Sequence, residues 1–122
     1  MHINDTFKMF IKSISAIGAA VLLSVSTSAS ATNSMLSSWY GGYFHGRTTA
    51  NGETYDMYGL TAAHKTLPFG TKLRVCYQGC VDVRINDRGP YIGARELDLS
   101  YGAADAIGLV NPGVDYVSVT YI

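Results

Sequence analysis

The chain has 122 residues, nine Lys and Arg against nine Asp and Glu, and 48% apolar residues. So even a balance sets up no field to draw nucleic acid or an anionic membrane, which leaves a neutral or mixed-charge polymer as the natural partner. Thirteen glycines and nine tyrosines suit short twisted strands joined by tight turns.

Residues 1–31 read as a secretory signal peptide. Lys8 and Lys12 give a basic start, Ile14 to Val25 is mostly apolar, and Ala29-Ser30-Ala31 supplies the small-x-small cleavage pattern. The apolar run falls short of the ~20 residues that span a bilayer. No cysteine stands at the cut to accept a lipid, so the expectation is a periplasmic or secreted monomer without a membrane anchor. Cleavage leaves residues 32–122 as one domain, which buries only roughly 60–65% of its surface on folding.

The Ser-rich stretch up to Ser38 reads as a lead-in. Trp39, Tyr40, Tyr43 and Phe44 then cluster around Gly41-Gly42, either as core filling or as flat faces for sugar rings. His45 and Arg47 follow, either as rim contacts to a polymer or as plain surface groups. Glu53 comes after Asn51-Gly52, a strong turn signal. His64 ends the run Leu60–His64, before a turn with Pro68 in its second position.

Leu73–Val75 and Val81–Ile85 alternate apolar with polar, as half-buried strands do. Between them, Cys76-Tyr77-Gln78-Gly79-Cys80 predicts a hairpin with Gly79 in the left-handed position and a Cys76–Cys80 disulfide. No second Cys pair supports a metal site there, and no metal or organic cofactor is implied. Ser100 caps a helix whose apolar face is Ala103, Ala104 and Ile107, and Gly108 ends it. Val117–Tyr121 is a last alternating strand. Five to seven short strands and one helix predict a small closed barrel, which leaves no sheet edge exposed.

Four stretches carry chemistry: Phe44–Glu53, Leu60–Thr71, Arg84–Pro90 and Glu96–Ser100. Each sets a carboxylate or an imidazole beside turn or strand-end residues, and in so short a chain these groups fold close together. Asp98 stands between Leu97 and Leu99, so its side chain faces away from theirs in an extended segment. A carboxylate flanked by apolar residues is partly desolvated, which favours a protonated form able to donate to a leaving oxygen. The plainer readings are a structural acceptor for Asp98, an Asx-turn or a pairing with Arg88 for Asp87, a surface charge for Glu53 and a loop histidine for His64.

The motifs Ser37-Ser38-Trp39-Tyr40-Gly41, Thr49–Glu53, Leu60–Thr71, Arg84–Pro90 and Leu97–Ser100 resemble the rare lipoprotein A (RlpA) family of lytic transglycosylases. The resemblance implies an all-β fold, a small six-stranded double-psi β-barrel with one short helix. It also implies that Glu53, His64 and Asp87 serve activity, and that Asp98 occupies the catalytic-acid position of more distant barrels of this type. Trp39, Tyr40, Arg47 and Arg88 are then expected to bind substrate.

The implied reaction cleaves the MurNAc–GlcNAc β-1,4 bond of peptidoglycan strands without water, leaving a 1,6-anhydro ring. The alternative is a non-catalytic, expansin-like glycan-binding module. Two departures stand out: no lipid-accepting Cys occurs near the cut, and the Leu73–Ile85 hairpin is shorter than usual and carries Cys76 and Cys80. Many family members also carry a C-terminal SPOR domain, which is not found within these 122 residues.

Overall fold

A computed structural model describes residues 31–122 of the protein. Except for Ala31, the expected signal peptide lies outside them. Six strands and one helix follow in chain order: β1 (Thr32–Tyr40), β2 (Thr61–His64), β3 (Lys72–Cys76), β4 (Cys80–Asp87), β5 (Leu97–Ser100), α1 (Tyr101–Ile107) and β6 (Asp115–Tyr121). The strands close into one barrel in the order β1-β5-β2-β4-β3-β6. Two pairs are parallel, β1 with β5 and β2 with β4, and the other four are antiparallel.

The core comes from the alternation visible in the sequence. Leu73, Val75, Val83, Ile85, Leu97, Leu99, Val117 and Val119 point inward and are essentially inaccessible to solvent. Helix α1 adds Ala103, Ala104 and Ile107 to the same cluster. Its first turn is capped by the Ser100 hydroxyl, which accepts from the Ala103 amide, and Gly108 ends it at φ 83°, as expected.

Two expectations need correction. The stretch Thr32–Ser38 is not a lead-in but most of β1, which pairs with β6 along one edge and β5 along the other. Its ladder bonds and the burial of Met35, Ser37 and Ser38 replace the apolar alternation it lacks, and Ser37 Oγ donates to the Met35 carbonyl. Gly79 is not among the glycines with positive φ. A side chain there is excluded by packing instead, since a Cβ would lie 3.1 Å from the Ala106 carbonyl oxygen.

The Cys76–Cys80 disulfide is formed, joining residues paired directly across β3 and β4. The loop it closes docks on the end of α1, where the Gln78 amide donates to the Ile107 carbonyl at 3.0 Å.

Candidate active site

A row of paired residues crosses four strands on the outer face of the barrel. Ser38 of β1 pairs with Asp98 of β5, Asp98 with Ala63 of β2, and Ala63 with Asp87 of β4. The last pairing depends on a bulge. Ala62 faces Ile85, but the register then shifts so that Ala63 faces Asp87 rather than Asn86. One extra residue in β4 thereby turns Asp87, not Asn86, onto the face that carries Asp98, a known use of bulges beside active sites.

Asp87 and Asp98 thus stand two strand spacings apart, about 10 Å between backbones, with the methyl group of Ala63 between them. They line a groove of about 180 Å³ together with Tyr40, Phe44, Arg88, Tyr91 and Ile92, among others. Phe44, Tyr91 and Ile92 are largely exposed, so the walls present apolar faces to a ligand.

The two acids are held differently. Asp98 accepts one side-chain hydrogen bond, from the buried Ser38 hydroxyl to Oδ1 at 3.0 Å. Burial pushes its carboxyl up to about 6; the Asp87 charge adds to the rise, while Ser38 and Arg95 oppose it. Asp87 instead accepts three bonds. Its Oδ1 takes the Ala50 and Arg88 amides, each at 2.9 Å, and its Oδ2 takes the Tyr40 hydroxyl at 3.3 Å.

Tyr40 stacks on Tyr55 with ring centroids 4.4 Å apart, and the Tyr55 hydroxyl donates back to the Tyr40 carbonyl. Burial, then the charge of Asp87, raises the Tyr40 phenol far above its ordinary value, so it remains a donor. Burial likewise pushes Tyr55 up to about 12.

The remaining sequence candidates lie around this row. Arg88 lines the groove, but its guanidinium is fixed by the His64 and Leu67 carbonyls and lies 3.9 Å from the centroid of the Phe69 ring. His64 does not line the groove. Its Nδ1 accepts the Thr66 and Leu67 amides, each at 3.1 Å, which leaves the ring proton on Nε2. Burial lowers its pKa.

Glu53 also lies off the groove, on a turn, in a bidentate pair with Arg84. That guanidinium, with help from the Asn51 amide, holds its carboxyl near 2. Trp39 packs on the core and on the edge of Tyr101, its Nε1 donating to the Val110 carbonyl. Arg47 is exposed, over the Tyr43 ring.

Ser38, Ala63 and Tyr91 were not among the residues that the sequence singled out for this site. Only Tyr91 left a signal, as an aromatic directly after Gly89-Pro90. A larger depression of about 430 Å³, lined by Leu60, Lys72, Asp82, Val83, Arg84 and Ile122, offers no free acid. Its Asp82 is bound to Arg74, and its Arg84 to Glu53.

Comparison with known proteins agrees with this architecture. The profile of a double-psi β-barrel family described as "Lytic transglycolase" matches residues 32–121. A protein of Synechocystis named probable endolytic peptidoglycan transglycosylase RlpA is 53% identical over 90 residues, which are 71% of this chain and 28% of that protein. The Pseudomonas aeruginosa endolytic peptidoglycan transglycosylase RlpA is 53% identical over 85 residues, 67% of this chain and 25% of that one. The chain therefore spans about a quarter of the length of these curated relatives.

Among solved structures, the apo Clavibacter michiganensis expansin has a TM-score of 0.62 at 23% identity, covering 75% of this chain and 50% of that one. The Streptomyces papain inhibitor has a TM-score of 0.61 at 20% identity, covering 75% and 94%. These two likenesses bear on the fold alone. With the barrel, the acid pair and the matched profile together, the chain belongs to the RlpA-like double-psi β-barrel family of lytic transglycosylases.

Proposed function

We propose that the domain is an endolytic peptidoglycan transglycosylase that cleaves MurNAc–GlcNAc β-1,4 bonds and leaves 1,6-anhydroMurNAc ends. The observation that carries this reading is Asp98, a carboxyl raised to about 6 by burial in a groove it shares with Asp87 and exposed apolar rings. The names of the relatives support the same chemistry.

Asp98, protonated, donates to the leaving O4 of GlcNAc as the MurNAc C1–O bond breaks and positive charge develops at C1. The resulting carboxylate takes the proton of the MurNAc 6-hydroxyl, whose oxygen bonds to C1 and closes the anhydro ring. Proton and electron pairs balance without water, and one acid/base serves both steps, unlike the two-carboxylate plan of ordinary glycosidases. Asp87, opposite, offers negative charge to the developing cation, and Tyr40 keeps Asp87 oriented. Phe44 and Tyr91 offer faces for sugar rings.

The signal-peptide pattern of residues 1–31 supports action outside the cytoplasm, where peptidoglycan lies. The reading is tested by digesting peptide-free glycan strands with wild-type, Asp98→Asn and Asp87→Asn protein. General acid–base catalysis contributes ~10²–10⁴-fold and stabilisation of a developing charge ~10²–10³-fold, so each variant should lose at least ~10² in rate while still binding glycan. Glycan binding without any anhydro product from the wild type would replace the enzyme with an expansin-like binder.

A further inference from the structure

The residues Glu53 and Arg84 stand outside the groove, yet they bear on the orientation of Asp87. The turn Thr48–Thr54 closes on itself through the Thr48–Thr54 bridge and the Thr49 amide on the Glu53 carbonyl. It then meets β4 at three successive places. Glu53 takes Arg84 through both carboxylate oxygens, the Asn51 amide donates to the Asn86 carbonyl, and the Ala50 amide donates to Asp87 Oδ1. Further bonds brace the carboxylate, from Asn51 Nδ2 to Oε2 and from Asn86 Nδ2 to Oε1.

We infer that the Glu53–Arg84 pair is a latch that holds the Ala50 amide on Asp87, making Glu53 and Arg84 positioning residues rather than members of the proton-transfer machinery. The inference rests on the catalytic reading of Asp87. All the acceptor capacity that Glu53 shows is spent on Arg84, Asn51 and Asn86, and its side chain is not part of the groove lining. Asp87 Oδ1 has two backbone donors, and the latch secures the one that comes from outside its own strand. Without it, Asp87 keeps the Arg88 N–H on Oδ1 and the Tyr40 hydroxyl on Oδ2, and loses the one donor that the turn supplies. A partly exposed ion pair contributes little to global stability, so its loss should loosen the turn and leave the barrel standing.

The test compares Glu53→Gln, Arg84→Met, the double variant, Arg84→Lys and the swapped pair Glu53→Arg/Arg84→Glu. Two measurements are read: hydrogen exchange of the Ala50 amide, and turnover of peptide-free glycan strands. The latch predicts that Glu53→Gln and Arg84→Met each expose the Ala50 amide and lower kcat by about 10–100-fold, as small misplacements of reacting groups do.

The double variant should be no slower than the slower single one, because residues that act as a unit are not additive. The swapped pair should recover part of both Ala50 protection and rate. Arg84→Lys, which keeps the charge but not the fork, should fall between Arg84→Met and wild type. In every variant the pH at which the rate falls should stay where Asp98 sets it.

Full activity in Arg84→Met beside a dead Glu53→Gln would overturn the latch and make Glu53 a group that touches substrate. An Ala50 amide equally protected in all variants would overturn it too. If the wild type yields no anhydro product, the exchange arm still decides the latch, so the two readings fail separately.

Discussion

Asp98 and Asp87 flank the same alanine, and the difference between them lies in their partners. The single bond from Ser38 favours the charged form of Asp98, while burial opposes it more strongly. Protonated Asp98 predominates below about pH 6, so kcat/KM should fall as pH rises through that value. Removing the hydroxyl in Ser38→Ala takes away a bond to the charged form, and the falling limb should move to higher pH. A pH–rate profile with the limb unmoved would contradict this role for Ser38.

Stability follows the same sign. The folded-state pKa of Asp98, about 6, lies above the ordinary ~3.9 of an unfolded chain. Its contribution to stability is therefore full below about pH 4 and is lost as pH rises through 6. Asp98→Asn should be more stable than wild type at pH 7.5 by about 1–2 kcal/mol, a figure reduced for the partial exposure of the group. It should show no such gain at pH 4. Urea unfolding at the two pH values checks it.

The sequence shows these residues only in part. The outward direction of Asp98 was readable from Leu97 and Leu99 on either side of it. Ser38 was not, because a serine in a serine-rich run gives no sign of burial or of the strand beside it. Glu53 and His64 were visible as chemically able residues, but the bonds that occupy them come from Arg84 and from loop amides that spacing does not reveal.

Strands β3, β4 and β6 and helix α1 were legible because each has its own apolar period and its own cap or turn. Strand β1 was not, since its partners β5 and β6 begin about 60 and 80 residues later in the chain and its inward positions include Ser37; pairing overrode local pattern. The bulge that turns Asp87 into the groove was equally hidden, because it is a property of the β2–β4 register.

The Cys76–Cys80 cross-link, over so short a loop, stabilises by ~2 kcal/mol in the chain-entropy model. The double variant Cys76→Ala/Cys80→Ala should lower the unfolding free energy by about that amount and leave kcat unchanged, since the hairpin docks on the end of α1 rather than on the groove. Gly79→Ala should also destabilise, because its Cβ would press on the Ala106 carbonyl. Thermal unfolding run beside a glycan assay separates these effects, and a loss of kcat at unchanged fold would contradict the assignment.

Barrel closure sets the candidate site on one outer face of residues 31–122. Four neighbouring strands present Ser38, Asp98, Ala63 and Asp87 in register, and the core behind them is continuous through Ile85, Leu97 and Leu99. The small side chain of Ala63 keeps the space between the acids open. Ala63→Leu should fill it and lower the rate at least ~10-fold, with a destabilisation of about 1–3 kcal/mol at most from overpacking. In the proposed reaction Asp98 passes one proton out and takes another back, with no water consumed. Mass spectrometry of peptide-free glycan strands after digestion reads this outcome from the chain ends. The wild type should release fragments ending in 1,6-anhydroMurNAc, and Asp98→Asn at least ~10²-fold less; fragments heavier by one water, with reducing ends, would show instead that water is the acceptor.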